Sequence, residues 1–109
     1  MKHTPGPWED SPNASDAIIS KNPDAMADAG MEVKYYGGAV VAESITPRNK
    51  PLLKAAPDLL DGLVRAEQTI RNLARCGALS GDYVEIAENE AANLRRDIAK
   101  ARGGREEAT

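Results

Sequence analysis

The stretch Pro51–Cys76, PLLKAAPDLLDGLVRAEQTIRNLARC, constrains this chain more than any other. Its apolar residues fall at Leu52, Ala56, Leu59, Leu63, Ala66, Ile70 and Leu73. Spacings that alternate between four and three residues mark one face of a helix, whereas a strand would repeat at every second residue. Leu53 and Leu60 lie beside this seam and widen it. One partner helix cannot cover a stripe of that width, so the helix calls for a small sheet over part of it and a second copy of the chain over the rest. Leu53, Leu60, Leu63 and Ile70 are the expected contacts of such a homo-oligomer interface.

The ends of this helix are less sharply drawn. Thr46-Pro47 has the form of a helix start, with Thr as N-cap and Pro at the first helical position. Pro51 and Pro57 complicate it, because each lacks an N–H and disfavours helix just before it. Pro57 fits either a restart, with Asp58 in the first turn, or a kink within one continuous helix. Gly62 costs up to about 1 kcal/mol inside a helix, which fits either a tolerated weakness or a close helix crossing. Cys76–Ser80 breaks the pattern, with Gly77 placed as a C-terminal cap. Asp82 and Glu85 then form a box-like cap for a second helix. Its seam, Val84, Ala87, Ala91, Leu94, Ile98 and Ala101, again alternates three and four. The short connection predicts an antiparallel helical hairpin. Gly103-Gly104 closes the second helix, and residues 105–109 read as a frayed tail.

The chain before the hairpin is polar and turn-rich. Pro5, Gly6, Pro7 and Pro12 make residues 1–15 an arm, with Trp8 expected to plug the edge of a small core. Asp16–Lys21 is a short apolar run of strand type. Asn22–Gly30 fits a loop or a single helical turn. Met31–Ile45 is the best strand region: Met31, Val33 and Tyr35 alternate with Glu32, Lys34 and Tyr36, and Gly37-Gly38 suits a two-residue hairpin turn. The expectation is an α+β fold, a two- or three-stranded antiparallel sheet followed by a long antiparallel helical hairpin. It occupies one small domain over residues 1–104, with an arm at 1–15, a β region at 16–46 and the hairpin at 47–102.

Composition narrows the function classes. A net charge of −3 in 109 residues argues against a protein that coats nucleic acid. The single cysteine, Cys76, excludes an internal disulfide and fits a reducing cytoplasm. MKHTPGPWEDSPN has no apolar run of the secretory type, and no stretch approaches the roughly 20 apolar residues of a membrane span. The expected setting is soluble and intracellular, with no membrane partner.

No residue pattern carries catalytic chemistry. Asp58/Asp61 and Glu85/Glu88 are paired carboxylates on solvated helix faces. His3 has no partner at metal-ligand spacing, Cys76 has no fixed histidine, and Gly37-Gly38 is followed by no phosphate-loop Lys-Ser/Thr. Catalytic, metal and cofactor sites are therefore expected to be none. The basic residues Arg65, Arg71, Arg75, Arg95, Arg96, Lys100, Arg102 and Arg105 concentrate in the hairpin, interleaved with acids. Such mixing fits a solvated, ion-paired face; the alternative is an anion pocket, with arginines meeting a phosphate and Tyr35 or Tyr36 stacking a base. Trp8, Tyr35, Tyr36, Arg48, Asn49, Arg95 and Arg96 are the candidate ligand-binding residues.

Two stretches carry a resemblance. His3-Thr4-Pro5-Gly6-Pro7-Trp8, then Leu52-Leu53-Lys54-Ala55-Ala56-Pro57-Asp58-Leu59-Leu60, resemble a family of small phage and prophage proteins that read HTPGPW, a variable β region with a VA segment, and ANARLIAAAPDLLEAL before a helical tail. Val41-Ala42 matches the VA segment and Asn49 the Asn of ANA. The chain departs at Pro51, where the family has Arg, and at Lys54. The resemblance implies a phage or prophage accessory protein in a bacterial host, and transfers no catalytic residue. Together with the absence of catalytic groups, it points to a non-enzymatic anti-defence protein that binds and sequesters a host defence protein or a signalling cyclic nucleotide. The alternative is a small nucleic-acid-binding regulator of phage or host genes, which needs a one-sided basic face.

Overall fold

The computed structural model describes residues 2–103. Gly104 and the expected tail at 105–109 lie outside the described residues. Strands β1 (Trp8–Asp10) and β2 (Ile18–Ser20) precede helices α1 (Pro23–Asp28) and α2 (Glu32–Tyr36). Strand β3 (Ala39–Ala42), a 3-10 turn (Pro47–Asn49) and the long helices α3 (Lys50–Arg75) and α4 (Gly81–Ala101) complete the chain. The architecture is α+β, as the sequence predicts. Two compact units divide it: His3–Leu59, and the helical part from Leu60 onward.

In the first unit a three-stranded antiparallel sheet runs in the order β1-β2-β3. The central strand is the core, because Ala17, Ile18, Ile19 and Ser20 are fully buried. Trp8 pairs with Ser20 and Asp10 with Ile18 on one side; Ser20 pairs with Ala39 and Ile18 with Ala42 on the other, across a bulge between Ile18 and Ile19. The expected arm therefore contributes a strand. Its polar triplet Trp-Glu-Asp carries no alternation, and it is recruited as an edge by the apolar β2 beside it.

The Met31–Tyr36 strand is corrected to helix. Val33 and Tyr36, three apart, are half-buried while Met31 and Tyr35 are exposed, which is the helical period. Over so few residues the two periods are hard to separate, and β2 already has a neighbour on each side. Gly37 ends α2 in the left-handed region at φ 81°, its N–H donating to the Val33 carbonyl at 2.9 Å. Gly38 permits close approach: a Cβ there would lie 2.7 Å from Ile19 Cδ1 and 2.9 Å from the Ser20 carbonyl oxygen. The glycine pair thus caps a helix and opens β3 onto β2, and makes no hairpin turn. Asn22 caps α1 by accepting from the Asp24 N–H at 2.9 Å.

The N-terminal half of α3 belongs to this unit. The helix is continuous through Pro57, so the proline stands inside it and does not restart it. Lys50 Nζ lies 2.8 Å from Asp10 and donates to the Ser15 carbonyl at 2.6 Å, and Lys54 Nζ lies 3.0 Å from Asp10.

In the second unit α3 and α4 run antiparallel. Arg71, Ala74 and Arg75 share a groove with Glu88, Ala91 and Arg95, while the earlier Val64, Glu67 and Gln68 share one with the later Arg95, Ile98 and Arg102. On α4 the expected seam holds from Val84 to Ile98, where Ala91 and Ile98 are buried and Val84, Ala87 and Leu94 half-buried, while its last member, Ala101, is exposed. Ser80 occupies the N-cap position of α4, in place of the expected Asp82, which stands in the first turn. On α3 the covered face is rotated from the predicted seam. Glu67 is its buried residue, flanked by half-buried Leu60, Leu63, Ile70 and Ala74, whereas Leu59 and Leu73 are exposed. Among the described residues a Cβ on Gly62 would meet only the Arg65 side chain, at 3.8 Å, so no close crossing among them explains that glycine.

Candidate functional site: an arginine groove around Glu67

The helical unit holds a carboxylate away from water. Glu67 occupies the turn between Leu63 and Ile70 on the covered face of α3, and its side chain is 7% exposed. Arg95 Nη1, from α4, donates to Glu67 Oε2 at 2.9 Å, and Arg71 Nε, one turn along α3, approaches the same oxygen at 3.5 Å. A carboxylate taken from water stays charged at tolerable cost only when such donors replace its hydration. The pairing has a second effect: it restrains two long guanidinium side chains that would otherwise sample many rotamers.

Those arginines shape the space between the helices. A groove of about 200 Å³ is lined by Arg71, Ala74, Arg75, Glu88, Ala91 and Arg95. The small Ala74 and Ala91 leave the floor open, and three guanidinium groups stand around it. Arg75 forms no ion pair among the described residues. On the other side of Arg95 a wider groove of about 530 Å³ has an apolar floor at Val64 and Ile98, with Gln68 and Arg102 at its edge. An arginine-rich groove is suited to recognise carboxylates or phosphates by forked hydrogen bonds.

The candidates named from sequence fall into separate places. Arg95 lines both grooves, whereas neighbouring Arg96 donates to Asn93 Oδ1 at 2.6 Å on the exposed side of α4. Trp8, Tyr35, Tyr36, Arg48 and Asn49 all belong to the sheet unit. Trp8 Nε1 donates to the Thr4 carbonyl at 3.0 Å, and the rings of Trp8 and His3 meet edge to face. Tyr36 donates to Glu43 Oε2 at 2.6 Å, and this bond to a carboxylate raises the Tyr36 pKa above the ordinary phenol range. Tyr35 is exposed, and Arg48 and Asn49 sit in the exposed 3-10 turn. Leu53 is exposed, while Leu60, Leu63 and Ile70 are half-buried. Glu67 escaped the sequence reading because it resembles one more acid in a mixed-charge helix. The available signal was its spacing, four after Leu63 and three before Ile70.

The two stretches behind the resemblance meet in the sheet unit. Ser20 Oγ donates to the Pro5 carbonyl at 2.5 Å and Asn22 Nδ2 to the Gly6 carbonyl at 2.9 Å, which fastens the HTPGPW loop over β2 and α1. The Gly6–Pro7 peptide is cis. A Cβ on Gly6 would lie 3.1 Å from both Cβ and Cγ of Pro57. The glycine of one stretch therefore seats the proline of the other, a packing role that needs no ligand. Lys54, which departs from the family pattern, finds its partner in Asp10. The hydrogen bonds of Lys50, and then of Lys54, hold the Asp10 carboxyl below the usual carboxylate range.

Fold and site together define a small α+β protein with an arginine-lined helical groove and, among the described residues, no group of His, Cys, Asp or Glu able to hold a metal ion. No helix of the described residues is long and apolar enough to cross a membrane. The chain belongs to the family of Salmonella phage P22 protein Y8K6, whose model matches residues 1–105. It is therefore a member of a phage protein family, in agreement with the setting that the resemblance implies. No curated protein and no solved structure matches the chain.

Proposed function

We propose that this chain is a non-enzymatic phage accessory protein that acts in the host cytoplasm by binding and sequestering a component of host defence. The observation that supports this reading is the groove lined by Arg71, Arg75 and Arg95, with Arg71 and Arg95 held in place by buried Glu67. Its chemistry suits an acidic partner. A protein surface is favoured over a signalling nucleotide because the residues that line the two grooves include no aromatic ring to stack a base. Arg75 is the discriminating position, since replacing it disturbs no ion pair among the described residues.

The test is capture from infected host lysate, with mass spectrometry of the protein and small-molecule fractions. The expected result is an acidic host protein retained by the wild-type chain and lost with Arg75→Glu. Equal capture by both chains, or recovery of a nucleotide alone, overturns the protein reading. Salt-sensitive retardation of DNA by the purified chain would favour a nucleic-acid regulator instead.

A further inference from the structure

A second feature stands apart from the groove. Leu52, Ala55, Leu59, Gly62, Ala66 and Thr69 repeat at three and four along α3, beside the covered face. Leu52 is 67% and Leu59 51% exposed, and nothing but the Arg65 side chain comes near a Cβ on Gly62. This face lies on one continuous helix and needs only that helix's periodicity. A three-four repeat of this kind is the seam of a two-helix coiled coil, where each large residue fills a hole on the facing helix. Here large and small positions alternate: Leu52, Ala55, Leu59, Gly62.

We propose that this face pairs two copies of the chain as an antiparallel helix dimer, Leu59 of each copy seated over Gly62 of the other. The same register sets Leu52 against Thr69 and Ala55 against Ala66, so each leucine meets a smaller side chain. The flanking charges select this arrangement. Asp58 and Arg65 lie one heptad apart on the same side of the seam, both are exposed, and neither forms an ion pair among the described residues. In the antiparallel register Asp58 of each copy lies opposite Arg65 of the other, twice about the two-fold axis. A parallel pair in register would stack Leu59 on Leu59, leave a gap at Gly62 and offer Asp58 no cation. The dimer also gives the helix-breaking Gly62 a function, as the gap that receives a leucine, and it is independent of the groove's ligand.

Sedimentation equilibrium on the full chain tests this. The wild-type chain is expected to be dimeric at micromolar concentration. Asp58→Arg and Arg65→Asp, each turning two attractions into repulsions, weaken association about tenfold or more, and the double swap restores it. Gly62→Leu fills the gap and gives a monomer; because Leu is the better helix former, its circular dichroism stays helical. A monomeric wild-type chain, a double swap as weak as the single ones, or an undiminished Gly62→Leu dimer overturns the proposal.

Discussion

Gly6→Ala probes the contact between the N-terminal loop and α3 with a single methyl group. The added Cβ would sit 3.1 Å from Cβ and Cγ of Pro57, several tenths of an ångström inside ordinary contact. Neither side yields easily. The Gly6 carbonyl is held by Asn22 and the preceding carbonyl by Ser20, while Pro57 is part of the backbone of a continuous helix. Overpacking of this kind costs about 1–3 kcal/mol. Trp8 is the only tryptophan of the chain, and its indole is bonded to Thr4 within the same unit. Its fluorescence in a urea titration therefore reports this unit directly. With a urea slope of about 1–3 kcal/mol per molar, the midpoint should fall by roughly 1 M. Pro57→Ala in the same background removes the ring carbon, and the two substitutions should couple favourably by more than about 0.5 kcal/mol. An unchanged midpoint for Gly6→Ala would show that the loop gives way freely, and the steric account of the junction would fail.

Other outcomes follow from the same contacts. Arg95→Ala leaves buried Glu67 with only the longer Arg71 contact; because Arg95 is half exposed, the loss should be about 1–2 kcal/mol, well under the full penalty of a buried pair, and Glu67→Met should cost less than Arg95→Ala in thermal melts. Ser20→Ala removes a hydroxyl that donates to Pro5 and accepts from Asn22 at a fully buried position, for about 1–3 kcal/mol in chemical denaturation. The Asp10 pKa is lowered on folding, so its contribution is present above the unfolded carboxylate value near 4 and lost as pH falls through the folded value; Lys50→Met with Lys54→Met should flatten the acid limb of the stability profile. The Tyr36 pKa is raised, so its contribution is complete below the unfolded value near 10 and lost as pH rises through the folded one, and Tyr36→Phe should remove that alkaline loss.

Helix α4 and the C-terminal half of α3 were legible in the sequence because a long repeat of three and four admits one secondary structure and accumulates evidence with every turn. The run Ile18-Ile19, flanked by turn residues, likewise marked the central strand. The phage setting was suggested by the resemblance of two short stretches, which pack together: Gly6 leaves the space that Pro57 takes, and Ser20 and Asn22 hold the loop. Short elements were another matter. Trp8–Asp10 became a strand through β2, and Glu32–Tyr36 became a helix although its pattern alternates, since five residues are too few for periodicity to outweigh the neighbours competing for the sheet.

The candidate site divides along the same line. Residue types and helical faces follow from the chain alone: arginines concentrated in the hairpin, an apolar stripe wider than one partner covers, a glycine inside a helix. Which face of α3 turns inward does not follow from them. The covered face centres on Glu67, away from the exposed Leu59 and Leu73, because the carboxylate gains Arg71 and Arg95 there and small Ala91 lets α4 approach. A charge is buried only where its partners converge, and convergence belongs to the packed structure. That choice leaves Leu59 and Leu73 exposed on α3.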